Sequence, residues 1–182
     1  MDAPFMESVW WVFKELWNKD LLYEGVKVVP YSTALETVLS NFEAGQNYQD
    51  VQDPAVTVLF KADGKDFYFA AWTTTPWTLP SNLGLCMGAE IEYAIVLDQD
   101  LNKKIVMASA LVENFGKKRK FQILETKKGS EFKGMSYEPL LPYFKDYKKE
   151  GAFKVHNDSY VTTDSGTGIV HLAPSLGEDD NR

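Results

Sequence analysis

The chain has 182 residues, 45% hydrophobic and 14% aromatic, which suffices for one compact domain with its own core and excludes a disordered chain. Its single cysteine, Cys86, excludes an intrachain disulfide and a thiolate zinc cluster, and the two histidines, His156 and His171, lie far apart in sequence. The net charge of −7 speaks against broad non-specific nucleic-acid binding.

The charge is uneven. Lys103-Lys104, Lys117-Lys118-Arg119-Lys120, Lys127-Lys128 and Lys148-Lys149 fall in the second half, while Glu36 to Asp53 is acidic; most of these lysines read as solvated surface. Asp2 and Glu7 stand where a signal peptide is basic, and the apolar stretch Val9 to Phe13 is too short to cross a bilayer. The expectation is a soluble, cytoplasmic protein with no membrane contact and no structural metal.

In chain order, residues 4–19 read as a helix, with Asp2 as N-cap and Pro4 in the first turn. Phe5, Val9, Trp10, Trp11, Phe13, Leu16 and Trp17 cover more than one of its faces, so it is expected to dock on something outside this chain. Val26 to Val29 reads as a short strand. Val56 to Phe60 and Asp66 to Trp72 flank Ala62-Asp63-Gly64-Lys65, a hairpin signal. Tyr93 to Leu97 and Lys104 to Ala108 predict a second hairpin, followed by a short helix over Ser109 to Phe115 ending at Gly116. Phe121 to Thr126, Phe153 to Val161 and Gly168 to Leu172 complete the strands. The expected class is α+β, mainly β: a barrel of about six strands decorated with short helices. Residues 1–25 are expected to form a helix and connection, and residues 26–182 the barrel domain.

Two segments carry chemistry. The first is Trp72-Thr73-Thr74-Thr75-Pro76-Trp77-Thr78-Leu79-Pro80-Ser81-Asn82. Successive threonines at a strand end put hydroxyls on both faces, before a course fixed by two prolines. Hydroxyls donate and accept, so such a cluster can order a water or hold a carbonyl oxygen. The bland alternative is a Thr-rich edge strand. The second segment runs from Gly166-Thr167-Gly168 through His171 to Glu178-Asp179-Asp180. Its glycines let backbone approach a ligand, an apolar strand delivers His171, and the acidic residues fall in the first turn of a helix, where they could simply favour the helix dipole. A lone His at a strand end is more often structural than catalytic.

Together these segments resemble the two peptides lining the editing pocket inserted in class I aminoacyl-tRNA synthetases for branched aliphatic amino acids. The resemblance runs over nearly the whole chain, including Val29-Pro30-Tyr31-Ser32-Thr33-Ala34 and Leu39-Ser40-Asn41-Phe42-Glu43, which are similar to the eukaryotic cytosolic isoleucyl branch. Leucyl and valyl members typically carry arginine where this chain has Thr75, and the continuation Pro-Trp-Thr-Leu-Pro-x-Asn is the isoleucyl form. Thr37-Val38 departs from the usual Thr-Pro, and there is no HIGH or KMSKS motif for ATP. With the end at Arg182, two residues past Asp180, the expectation is an excised editing domain that cannot aminoacylate.

The resemblance implies hydrolysis of valine from the tRNA for isoleucine, possible also for valyl-adenylate, by positioned water rather than a covalent intermediate. It assigns Asp180 to the substrate ammonium, with Asp179 as the alternative. Thr73, Thr74, Thr75 and Thr78 line the pocket and hold water, beside Trp72. Asn82 positions ester or water, and Gly166, Thr167 and Gly168 meet the terminal adenosine. His171 is either a general base or the wall excluding isoleucine, and the resemblance favours the wall. No cofactor is implied for editing, since ATP and magnesium belong to the synthetic domain. The partners implied are the 3′-terminal adenosine of the tRNA and the remainder of a synthetase, with the domain itself a monomer. The competing readings are a non-catalytic cradle for the tRNA end and an editing domain of a valyl or leucyl enzyme.

Overall fold

A computed structural model describes residues 2–115 and 119–181. The first element is α1 (Ala3–Asn18), with proline at its start. Asp2 occupies the N-cap position as expected, but caps through its backbone oxygen, which accepts Phe5 N and Met6 N, and not through its carboxylate. No residue of α1 is buried: Trp10, Trp11, Phe13 and Trp17 are each at least 60% exposed. Beyond it, β1 (Tyr31–Ser32) and β2 (Thr37–Val38) pair as a small antiparallel ribbon, and α2 (Asn41–Ala44) starts on a capping box between Ser40 and Glu43. Val26 to Val29, expected as a strand, has none of this structure. Its β-branched residues border a surface groove with Ser81, Leu83, Phe144 and Tyr147, and without a pairing edge a β-branched run makes no ladder.

The core begins at β3 (Val56–Lys61), which pairs antiparallel with β4 (Tyr68–Thr73) around the expected Asp63-Gly64 turn. A short Gly-Leu-Cys-Met strand, β5 (Gly84–Met87), was not legible in the sequence pattern. The second expected hairpin is β6 (Glu92–Asp98) with β7 (Lys103–Ala108), followed by a 3-10 turn and α3 (Val112–Phe115). The helix end expected at Gly116 lies outside the described residues. Then come β8 (Phe121–Lys128), β9 (Lys154–Asn157) and β10 (Ile169–Leu172).

The α+β, mainly β class is therefore as expected, and the larger strands form two open sheets. One has the order β3-β4-β7-β6-β8, the other β10-β5-β9. Among the described residues no continuous ladder joins them into a closed barrel. The stretch near Ser136 and Tyr137 makes only isolated bridges, Ala62 with Tyr137 and Ser136 with Lys154. On the other side, among the described residues, the backbone link is one bond from Ala108 N to Thr167 O at 2.8 Å, beside the Tyr93 hydroxyl on Gly168 O. Gly168, at φ +73°, turns the chain there before it can extend the larger sheet.

Between the sheets lies the main core, with Phe60, Phe69, Leu85, Met87, Tyr93, Phe132, Tyr137 and Phe153. Its rings meet edge to face, as Phe60 and Tyr137 do at 5.3 Å and Tyr137 and Phe153 at 5.9 Å. A smaller cluster of Val96, Ile105, Met107 and Val112 covers the other face of the large sheet. With both faces packed, the sheet gives the end of β4 a rigid base. Buried Asp98 closes the β6–β7 turn by accepting Asp100 N and Leu101 N, and Arg119 pairs with its second oxygen at 2.7 Å. No helix among the described residues is long and apolar enough to cross a membrane.

Candidate functional site

The strands β4 and β10 end side by side, and the peptides leaving them enclose a cleft of about 200 Å³. Its lining includes Trp72, Thr73, Thr75, Thr78, His171 and Asp180. Sequence-distant residues meet here because β10 lies against β4 while pairing antiparallel with β5, His171 opposite Leu85.

On one wall, Pro76 starts a 3-10 turn over Pro76–Ser81 that folds Thr78 back toward the strand end. Thr75 N donates to Thr73 Oγ1 at 3.0 Å, and the two hydroxyls stand 3.2 Å apart. Thr78 Oγ1 donates to the Thr75 carbonyl at 2.7 Å and lies 2.9 Å from His171 Nε2. A hydroxyl carries one proton. Since Thr78 gives its proton to a carbonyl, which can only accept, the bond with His171 requires the imidazole to donate from Nε2. His171 Nδ1 is then a bare acceptor, buried without a hydrogen-bond partner among the described residues. Burial lowers the pKa of His171, more than the nearby Asp180 carboxylate raises it, so the ring is neutral at pH 7. Of the two protons on Thr73 and Thr75, one is spent between them. The other is left for a ligand, because the Thr75–Thr78 separation of 3.5 Å makes at best a weak bond.

On the opposite wall, Asp180 sits in a 3-10 turn over Asp179–Asn181. Its Oδ2 accepts Ala173 N at 2.8 Å. One backbone bond leaves further acceptor capacity on the carboxylate, and the group borders the cleft directly. The site therefore combines a small hydroxyl-lined recess, a neutral imidazole wall and a fixed negative charge.

The predicted residues divide into two groups. Trp72, Thr73, Thr75, Thr78, His171 and Asp180 come together in the cleft. Thr74 is exposed and does not line it. Asn82 is buried elsewhere: its amide nitrogen donates to Gly84 O at 2.8 Å and Leu172 O at 3.4 Å, and its oxygen accepts Tyr137 OH at 2.7 Å. With both ends of the amide engaged, Asn82 ties β5 to β10 beneath the cleft. Burial raises the Tyr137 phenol well above its ordinary range, so it stays protonated as the donor. Asp179 is exposed and borders a separate cleft of about 500 Å³, together with Cys86, His156, Asp158 and Asp180.

Gly166, Thr167 and Gly168 also lie outside the cleft lining. Gly166 has φ +72°, and a Cβ there would come within 2.7 Å of the Trp72 ring; one on Gly168 would stand 2.6 Å from the Ala108 side chain. Thr167 O accepts Ala108 N, and Gly168 O accepts the hydroxyl of Tyr93, whose pKa burial pushes up to about 12. The turn thus ties the start of β10 to β6 and β7 through its own carbonyls, while bare Gly166 leaves room for the Trp72 ring. Sequence reasoning passed over Ala173 and Gly177, which border the cleft beside Asp180; a buried backbone amide and a small residue carry no sequence signal of their own.

Residues 1–167 match the family described as tRNA synthetases class I (I, L, M and V). The chain is 54% identical to an isoleucine–tRNA ligase of Bdellovibrio bacteriovorus over 99% of its length and 17% of the relative's. It is 53% identical to the cytoplasmic isoleucine–tRNA ligase of Saccharomyces cerevisiae, over 100% and 17% respectively. The chain thus spans about a sixth of the relatives it matches. Among solved structures, GlLeuRS-CP1 aligns with TM-score 0.59 at 16% identity, covering 70% of this chain and 58% of that one. The Plasmodium falciparum cytosolic leucyl-tRNA synthetase editing domain aligns with TM-score 0.52 at 16% identity, covering 64% and 45%. The fold is that of these editing domains.

Proposed function

The chain belongs to the class I tRNA synthetases (I, L, M and V), and on that premise we propose that its cleft hydrolyses valine from the tRNA for isoleucine. The observation that carries this reading is the meeting of a row joining Thr73 to Thr75, Thr78 to the Thr75 carbonyl and Thr78 to His171 with the Asp180 carboxylate across one small recess. Isoleucine and valine differ by one methylene, worth only about 1–3 kcal/mol to an apolar synthetic pocket, a figure established on isoleucyl-tRNA synthetases themselves. A second, smaller pocket removes the product that the first admits.

In this reading Asp180 binds the α-ammonium of the aminoacyl ester through a charge-assisted bond. The isopropyl group of valine enters the recess against His171, and the longer side chain of isoleucine meets the imidazole. The spare hydroxyl proton of the Thr73–Thr75 pair orients the ester carbonyl or the attacking water. Water adds to the carbonyl carbon, the ester bond to the terminal ribose breaks, and the ribose oxygen leaves with a proton. His171 has no accepting nitrogen toward Thr78 in its Nε2–H form, which favours the wall over the base. Positioning supplies the acceleration, and the reaction draws on no cofactor. The same recess would take valyl-adenylate.

The wider partners are proposals of the same kind. The tRNA bearing valine enters with its 3′-terminal adenosine. Residues 2–52 contain no buried residue, and we assign α1, with its exposed tryptophans, to a contact with the remaining part of a larger cytoplasmic synthetase. Burial of those tryptophans would remove an apolar surface that water disfavours. The test is deacylation of valyl-tRNA and isoleucyl-tRNA, both on the tRNA for isoleucine. Selective release of valine supports the reading, whereas tight binding of the tRNA end without release would make this a cradle.

A further inference from the structure

We propose that Gly177 is the positioning residue for the Asp180 carboxylate; this deepens the proposed function, resting on Asp180 as the ammonium anchor. A Cβ at position 177 would stand 2.9 Å from Asp180 Oδ2 and 3.0 Å from its Cγ, closer than the distance at which nonbonded atoms attract. That oxygen is the one that accepts Ala173 N. The carboxylate therefore lies flat on the turn only because residue 177 has no side chain.

The surrounding chain leaves little room for the turn to adjust instead. Ala173 is buried, and its carbonyl accepts Leu176 N at 2.8 Å and Gly177 N at 3.2 Å. On the far side, Asn181 Nδ2 holds Pro174 O at 3.0 Å. Both ends of the loop are thus tied, and the free degree is the rotation of the Asp180 side chain away from Ala173. Gly177 is not among the glycines of positive φ. Alanine would fit its backbone without strain, so the substitution acts on the carboxylate and not on the fold.

The experiment uses this chain with Gly177→Ala, Asp180→Ala and the double variant. Amide exchange at Ala173 reads the carboxylate bond, and calorimetry with a non-hydrolysable valyl-adenosine amide reads ammonium binding. Gly177→Ala is expected to raise Ala173 exchange to the rate in Asp180→Ala. It should also weaken the analogue by about ten- to a hundredfold, with no further loss in the double variant. An Ala173 amide as protected as in the parent overturns the positioning role. So does a general loosening in which exchange also rises at Val170 and Leu172. If Ala173 exchange rises while neither single variant weakens the analogue, the positioning geometry stands, and the assignment of Asp180 as anchor falls.

Discussion

Across the cleft stand two peptides built in opposite ways. From Thr73 to Thr78 the polar groups are spent largely on one another: hydroxyl to hydroxyl, amide to hydroxyl, hydroxyl to carbonyl. From His171 to Asp180 the chain brings one neutral ring and one charge, each held, among the described residues, by one hydrogen bond to its surroundings, His171 through Thr78 and Asp180 through Ala173. The first wall, with the His171 ring bonded onto it through Thr78, is nearly neutral, and so suits shape selection. The second holds the charge, and so suits recognition of an ammonium. A site that must reject one methylene and still hold a common backbone needs both.

Substitutions should separate the walls, the largest effect coming from the charge. Asp180→Ala is expected to lower valyl-tRNA deacylation on the order of a hundredfold, the loss of a strong charge-assisted bond, as read in single-turnover assays; near-parental rates would move the anchor elsewhere. His171→Ala should act on selectivity instead. Isoleucyl-tRNA becomes a substrate and the valine preference falls by about tenfold or more, whereas loss of both activities would restore the imidazole as base. Asn82→Ala tests the floor below both walls. It strands the buried Tyr137 hydroxyl and should cost about 1–3 kcal/mol of unfolding free energy in urea, leaving the valine-to-isoleucine ratio unchanged.

The smallest expected effect is with pH. Because burial depresses the pKa of His171 in the fold, the unfolded chain binds the proton more readily. The stability His171 contributes is present above the ordinary histidine value of about 6.5 and is lost as pH falls below it through the folded value. Acid unfolding followed by circular dichroism should therefore begin at lower pH in His171→Gln.

Much of this was legible in the sequence because hairpins announce themselves. Alternation around Asp63-Gly64 and around Asp98 placed β3, β4, β6 and β7 within a residue or two. The short β5 escaped because Gly-Leu-Cys-Met, buried throughout, has no alternation. Val26 to Val29 misled in the reverse direction, since β-branched composition promises a strand only where an edge is available. In the site, threonines and acidic residues marked both walls. Sequence could not separate Thr73 and Thr75, turned into the cleft, from exposed Thr74. Nor could it show that the Asn82 amide would be consumed by Tyr137 and the carbonyls of Gly84 and Leu172, because Tyr137 and Leu172 are 55 and 90 residues away along the chain.

The most direct test is a structure of the chain with a non-hydrolysable valyl-adenosine amide. The account predicts the ammonium in hydrogen-bond contact with Asp180 and the isopropyl group between Thr75, Thr78 and His171. An ammonium on Asp179, or a valine side chain seated in the larger cleft beside Cys86 and His156, would contradict it.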